Sequence, residues 1–118
     1  MDNKEIIQLI ANACDDKRAE DIVALDMQDV SLMTDYFLIC HGSNERQVQA
    51  IARSIKDSME EEGIIIKRLE GYEQARWILV DLGDIVCHVF HKEERSYYNL
   101  ERLWGDASKV EISVGHNG

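Results

Sequence analysis

The stretch RWILVDLGDIVCHVFHKEERSYYNLERLWGDA, residues 76–107, decides the fold. Its first half sets two apolar runs, residues 75–81 and 85–91, about the tight Leu82-Gly83 turn, the pattern of a β-hairpin. Its second half, residues 93–104, places Tyr97, Leu100, Glu101 and Trp104 at i, i+3, i+4 and i+7 and stops at Gly105, the pattern of a helix with glycine just past its end. Most of the aromatic residues fall in this window: Trp77, Phe90, Tyr97, Tyr98 and Trp104. Aromatic anchors without a catalytic constellation favour recognition over turnover.

Working outward, residues 64–70 form a third apolar run, closed by a turn at Gly71. Before it, Val48, Ile51, Ala52, Ile55 and Met59 make a stripe at helical spacing that begins after a Ser43 or Asn44 N-cap, carries Glu45 in its first turn and ends at Gly63. The Glu60-Glu61-Glu62 run at its end reads as a solvated helix terminus. Residues 36–40 are continuously apolar, and residues 21–27 are rich in Ile22, Val23 and Leu25; both read as strands, joined by a polar-punctuated connection over residues 28–35. Residues 2–16 repeat Ile6, Leu9, Ile10 and Ala13 as an amphipathic helix. The order is helix, two strands, helix, three strands, helix, which predicts an α/β domain over residues 1–107 with a mixed five-stranded sheet and flanking helices. Residues 108–118 are expected to be a polar tail.

A chain of 118 residues fits one domain. No run approaches the roughly 20 apolar residues of a membrane span, and MDNKEIIQLI lacks the charged-then-apolar order of a signal peptide, so a soluble cytoplasmic protein is expected. Cys14, Cys40 and Cys87 are odd in number and widely spaced, as befits buried thiols in a reducing compartment. With 13 basic against 23 acidic residues the formal charge is -10. Nucleic-acid backbones are bound by clustered Lys and Arg, so direct nucleic-acid readout is not expected, and a basic protein is the natural partner.

On the strand 75–81, alternation sets Trp77, Leu79 and Asp81 on one face and Arg76, Ile78 and Val80 on the other. If helices cover the face of Ile78 and Val80, Trp77 and Leu79 stand on an open sheet face beside a carboxylate, the composition of an interface centre with a polar rim. His88 and His91 have an H-x-x-H spacing, but three residues apart on a strand they point to opposite faces, so no metal site is expected and a hydrogen bond across the strands or at a turn accounts for them better. Cys87 and His88 are adjacent on a strand and face apart, which leaves Cys87 a core thiol.

Residues 81–91, DLGDIVCHVFH, and 97–107, YYNLERLWGDA, are similar to the C-terminal signature of the Iojap family, the ribosomal silencing factors. DMQDVSLMTDYFLIC at 26–40 and GSNERQVQAIA at 42–52 resemble that family's other two blocks, in the same order. Three ordered blocks over residues 4–107 are far more specific than one short motif. The resemblance implies an α/β fold related in topology to the nucleotidyltransferases. It also implies docking on large-subunit ribosomal protein fourteen, where it blocks joining of the small subunit and damps translation when nutrients are short, with no cofactor. The matching blocks point to Trp77, Leu79, Asp81, Leu82, Tyr98 and Glu101 as partner-binding residues, supported by Asp84 and His88.

That likeness makes one enzymatic rival worth weighing. Gly42-Ser43, between a strand and a helix, is placed as in the phosphate-holding turn of a nucleotidyltransferase. Such an enzyme also needs two carboxylates one residue apart on the next strand to hold Mg²⁺, and residues 64–70 offer only Glu70. No catalytic residue is expected. A second rival is a homodimer formed through the Trp77 face.

Overall fold

The computed structural model describes the backbone of residues 1–98 and 105–114 and the side chains of residues 1–95 and 105–114. Helix α1 spans Asn3–Asp16 and starts in a capping box: Asp2 Oδ1 accepts from the Glu5 amide at 2.9 Å, and Glu5 Oε1 accepts from the Asp2 amide. Helix α2 spans Glu45–Glu61 behind an Asn44 N-cap, whose Oδ1 accepts from the Gln47 amide at 2.8 Å. Of the two cap candidates Asn44 is the one used, because the Ser43 hydroxyl is turned away to donate to Glu20 Oε1. Past the end of α2, Gly63 takes a φ of 73°, the left-handed conformation that glycine adopts without a Cβ penalty.

The strands are β1 Glu20–Asp26, β2 Tyr36–Gly42, β3 Arg68–Glu70, β4 Trp77–Asp81, β5 Ile85–His91 and β6 Ser108–Val110, with α3 at Lys92–Tyr98. They form one sheet in the order β3-β4-β5-β2-β1-β6. The ladder β2–β5 is parallel and the others are antiparallel, so the sheet is mixed as expected. Among the described residues it has six strands rather than five. The sixth, β6, lies in the segment read as a polar tail and pairs Ala24 with Val110 and Asp26 with Ser108 on β1. The apolar run 64–70 yields a ladder only over Arg68–Glu70, and β4 begins at Trp77 rather than residue 75, because Ala75 has a φ of 55° and cannot continue an extended strand.

Both helices α1 and α2 lie on one sheet face. There Ile7, Ile10 and Cys14 of α1 and Val48, Ile51, Ile55 and Met59 of α2 pack on Leu38, Cys40, Ile78, Val80, Ile85, Cys87 and Val89 of the strands. Full burial of each such aliphatic side chain contributes about 1.5 to 3 kcal/mol. All three cysteines are buried thiols; Cys40 Sγ lies 3.9 Å from Cys14 Sγ, and burial pushes the Cys87 thiol far above its ordinary pKa. The opposite face carries a second, smaller cluster of Leu25, Met27, Ile39 and Phe90, against which Val23, Val30, Phe37, Trp77 and Ala107 are packed while remaining partly exposed. No helix among the described residues is long and apolar enough to cross a membrane.

Candidate partner-binding face

The burial of β4 alternates along the strand: Ile78 and Val80 are completely buried under the helices, whereas Trp77, Leu79 and Asp81 are half-buried on the other face. The split expected from alternation is therefore present, but the indole is more firmly held than an open anchor would be. Trp77 stacks on Phe90, its register partner on β5, with ring centroids 5.1 Å apart and planes 27° from parallel. Its Nε1–H donates to His88 Nδ1 at 3.0 Å. Phe37 on β2 meets the His88 ring edge-on at 4.6 Å. Trp77, His88, Phe90 and Phe37 thus form one aromatic layer across β4, β5 and β2.

His88 is only 5 % exposed, so it is a support for Trp77 rather than a contact surface of its own. Accepting the indole proton at Nδ1 requires the neutral tautomer with its proton on Nε2, and among the described residues Nε2 has no hydrogen-bond partner. Burial lowers the His88 pKa to about 4. A histidine whose folded pKa lies below its unfolded value of about 6.5 binds its proton more readily in the unfolded chain, so stability rises with pH across this window. Stability is therefore expected to be complete above about pH 6.5. It should fall by up to about 1.4 kcal/mol per unit as the pH drops towards 4. Urea unfolding of wild type and His88→Gln across that range checks this: the difference in stability between the two should change with pH, and a difference that is constant with pH would mean that His88 is not the titrating group.

The rim of the layer is charged. Asp81 is bound at both ends, its Oδ1 accepting from the Gly83 amide at 2.8 Å and its Oδ2 from Arg68 Nε at 3.3 Å across the β3–β4 ladder. Leu82 packs on the helix-side core, so of the two it is the less available to a partner. The Asp84 side chain is exposed, while its carbonyl accepts from the Asp35 and Tyr36 amides and from Thr34 Oγ1. Tyr98 ends α3, but its side chain, and Glu101 with Leu100 and Trp104, lie outside the described residues. Phe37 and Val86 are half-buried on this same face and carry no sequence signal of it, because the runs 36–40 and 85–91 are apolar at nearly every position and alternation is silent there.

The remaining constellations resolve into structural pairings. His91 lies on the opposite face of β5 from His88; its Nδ1 accepts from the Glu93 amide at 3.2 Å and its Nε2 lies 3.9 Å from Glu45. Arg76 ties the starts of β4, α2 and α3 together through Glu45, Glu93 and Glu94, at 3.0 to 3.3 Å. At Gly42-Ser43 the Ser43 amide donates to Gln47 Oε1 at 2.7 Å, and Gln47 Nε2 donates to the Lys17 and Arg18 carbonyls. The turn that would cradle a phosphate is therefore filled by a glutamine side chain. Glu20 is the carboxylate beside it, on β1 rather than on the strand that follows α2. Among the described residues no group of three His, Cys, Asp or Glu is arranged to hold a metal ion.

These features define a small mixed α/β protein with one helix-covered sheet face and one aromatic, acid-rimmed face. The model of the family described as "Ribosomal silencing factor during starvation" matches residues 1–117, and the chain belongs to that family. It is 63% identical over 117 residues to the ribosomal silencing factor of Bacillus subtilis, covering 99% of each chain. To that of Halalkalibacterium halodurans it is 65% identical over 112 residues, covering 95% of this chain and 96% of the other. A chloroplastic Iojap protein of Zea mays is 31% identical over 104 residues, which are 87% of this chain and 45% of that one. A crystal structure of a Chromobacterium violaceum protein superposes with a TM-score of 0.87 at 36% identity, covering 99% of this chain and 97% of that one.

Proposed function

We propose that this chain is a ribosomal silencing factor that docks its aromatic face on large-subunit ribosomal protein fourteen and sterically blocks joining of the small subunit, repressing translation under nutrient limitation. The observation that carries the reading is the end-to-end match to the silencing-factor family at 63% identity with a named member. The face supports it: an aromatic centre of Trp77 and Phe37, with Leu79 beside it and Asp81 and Asp84 at its rim, on a chain of charge -10, suits a basic protein surface. Steric occlusion needs neither cofactor nor catalytic group, and it places the protein in the cytoplasm with the ribosomes. Small-subunit joining, followed by sucrose-gradient sedimentation of purified subunits, tests the reading: added protein should leave the subunits apart.

If acidic groups steer the encounter, raising salt from about 0.05 to 0.5 M, which shortens the screening length from roughly 14 to 4 Å, should slow association more than it speeds dissociation. Asp84→Lys should reproduce the high-salt association rate at low salt. Asp84 is the better probe than Asp81, whose reversal would also break the Gly83 turn and the Arg68 pair. Surface-based kinetics with purified large-subunit protein fourteen reads both effects. An association rate indifferent to salt and to Asp84→Lys would confine the acidity to a role in solubility.

A further inference from the structure

The loop over residues 28–35 between β1 and β2 presents two large apolar side chains to solvent: Leu32 is fully exposed and Met33 is 89 % exposed. Scattered apolar residues are ordinary on a surface, but two adjacent ones at a loop tip are costly to leave in water. The tip is also held in place rather than left to sway. The Val30 and Ser31 amides donate to the Met27 carbonyl at 3.1 and 2.8 Å, the Met33 amide donates to Ser31 Oγ at 3.1 Å, and the Met27 amide closes the base on the Asp35 carbonyl at 2.7 Å. A loop that has already lost its conformational freedom gives up little more on binding.

Its anchorage joins it to the aromatic face on two sides. Val30 packs into the same cluster as Trp77, Phe37 and Phe90. At the other side Thr34 Oγ1 and the Asp35 amide both donate to the Asp84 carbonyl, at 2.9 and 3.0 Å, so the loop is fastened to the turn that forms the acidic end of that face. Asp29 and Asp35 flank the tip within its own loop, and Asp84 stands across from it. An apolar tip on a loop that carries carboxylates is complementary to an apolar recess bordered by Lys and Arg.

We propose that the 28–35 loop is a second arm of the partner-binding face, which inserts Leu32 and Met33 into an apolar recess of the basic ribosomal protein that Trp77 contacts. This rests on the ribosome-docking reading above. The occupant is the same partner, because the loop is continuous with the Trp77 face through Val30 and Asp84 and shares its acidic rim.

The test compares wild type, Leu32→Ser/Met33→Ser, Trp77→Ala and Ile65→Ser for affinity to purified bacterial large ribosomal subunits, with thermal unfolding and sedimentation of each protein alone. Ile65 is 80 % exposed, lies in the segment before β3 rather than in the loop, and controls for general stickiness. The double-serine variant should bind about tenfold more weakly with an unchanged Tm, since neither side chain is buried, while Ile65→Ser should bind as wild type does. Wild-type affinity of the double-serine variant beside a weakened Trp77→Ala would overturn the second arm and leave the docking reading standing. If neither variant binds more weakly, the docking reading itself fails and the arm with it. An unchanged affinity together with a shift from dimer to monomer would assign the tip to self-association instead, which also overturns the proposal.

Discussion

Trp77→Ala is expected to weaken binding to the large ribosomal subunit by about 2 to 4 kcal/mol, roughly 30- to 1000-fold in Kd. The indole is the largest side chain of the aromatic face that remains partly exposed, and its orientation is set from two directions, by the stack on Phe90 and by the hydrogen bond to His88. A rigid anchor loses little entropy on docking, so its truncation removes contact area that was held ready for the partner. Because Trp77 is only half-buried and the helix-side core does not include it, the fold should survive. Trp77→Phe separates the two contributions, keeping the ring on Phe90 while leaving His88 Nδ1 without its donor, and should fall between wild type and alanine. Equilibrium binding with circular dichroism on each variant decides the matter. Normal binding by Trp77→Ala would place the interface elsewhere, and an unfolded variant would make Trp77 a core residue.

Gly71→Ala should cost about 3 to 5 kcal/mol of stability, the sum of a left-handed backbone conformation that alanine resists and a steric clash that must be relieved by moving a strand. Gly71 has a φ of 80°, and a Cβ there would come within 2.2 Å of the Trp77 carbonyl oxygen, a backbone atom that cannot rotate away. The turn it opens, closed by the Ala75 amide on the Gly71 carbonyl at 3.0 Å, delivers β4 to the sheet at the residue where the anchor sits. Gly63→Ala is the matched control. Its φ is 73°, but nothing lies within 4 Å of the added atom, so only the conformational part of the cost, about 1 kcal/mol, should appear. Urea denaturation of the two variants should give well-separated midpoints. Equal losses would mean that β4 does not approach Gly71 so closely.

The regular elements were legible where a single period dominates. The buried stripe of α2 is the one that helical spacing picks out, and β5 keeps its expected bounds because Gly83 precedes it and a run of charged residues follows. Strand β6 escaped because Ser108–Val110 has no apolar run of its own; only its pairing with β1 makes it a strand. Residues 64–67 read as strand from their isoleucines, yet the Ile64 amide donates to the Met59 carbonyl at the end of α2 rather than into a regular ladder. At the face itself, alternation placed Trp77, Leu79 and Asp81 together. It could not place His88 beneath the indole, since that depends on the β4–β5 register, which a hairpin sequence leaves open by a residue in either direction. The exposed Leu32 and Met33 lay in a segment that composition marks only as a connection.

The parallel ladder between β2 and β5 has a consequence for how the protein is made. Tyr36 has Ile85 as its register partner and Gly42 has His91, so the centre of the sheet stays incomplete until the chain has been synthesised well past its midpoint. The β1–β2 hairpin and the two long helices can assemble earlier from near neighbours, leaving one apolar edge of β2 without its strand while β3 and β4 are still emerging. During that interval the growing chain is open to pairing with a foreign strand. A member of the ribosomal silencing factor family thus spends the most vulnerable stage of its own life attached to a ribosome.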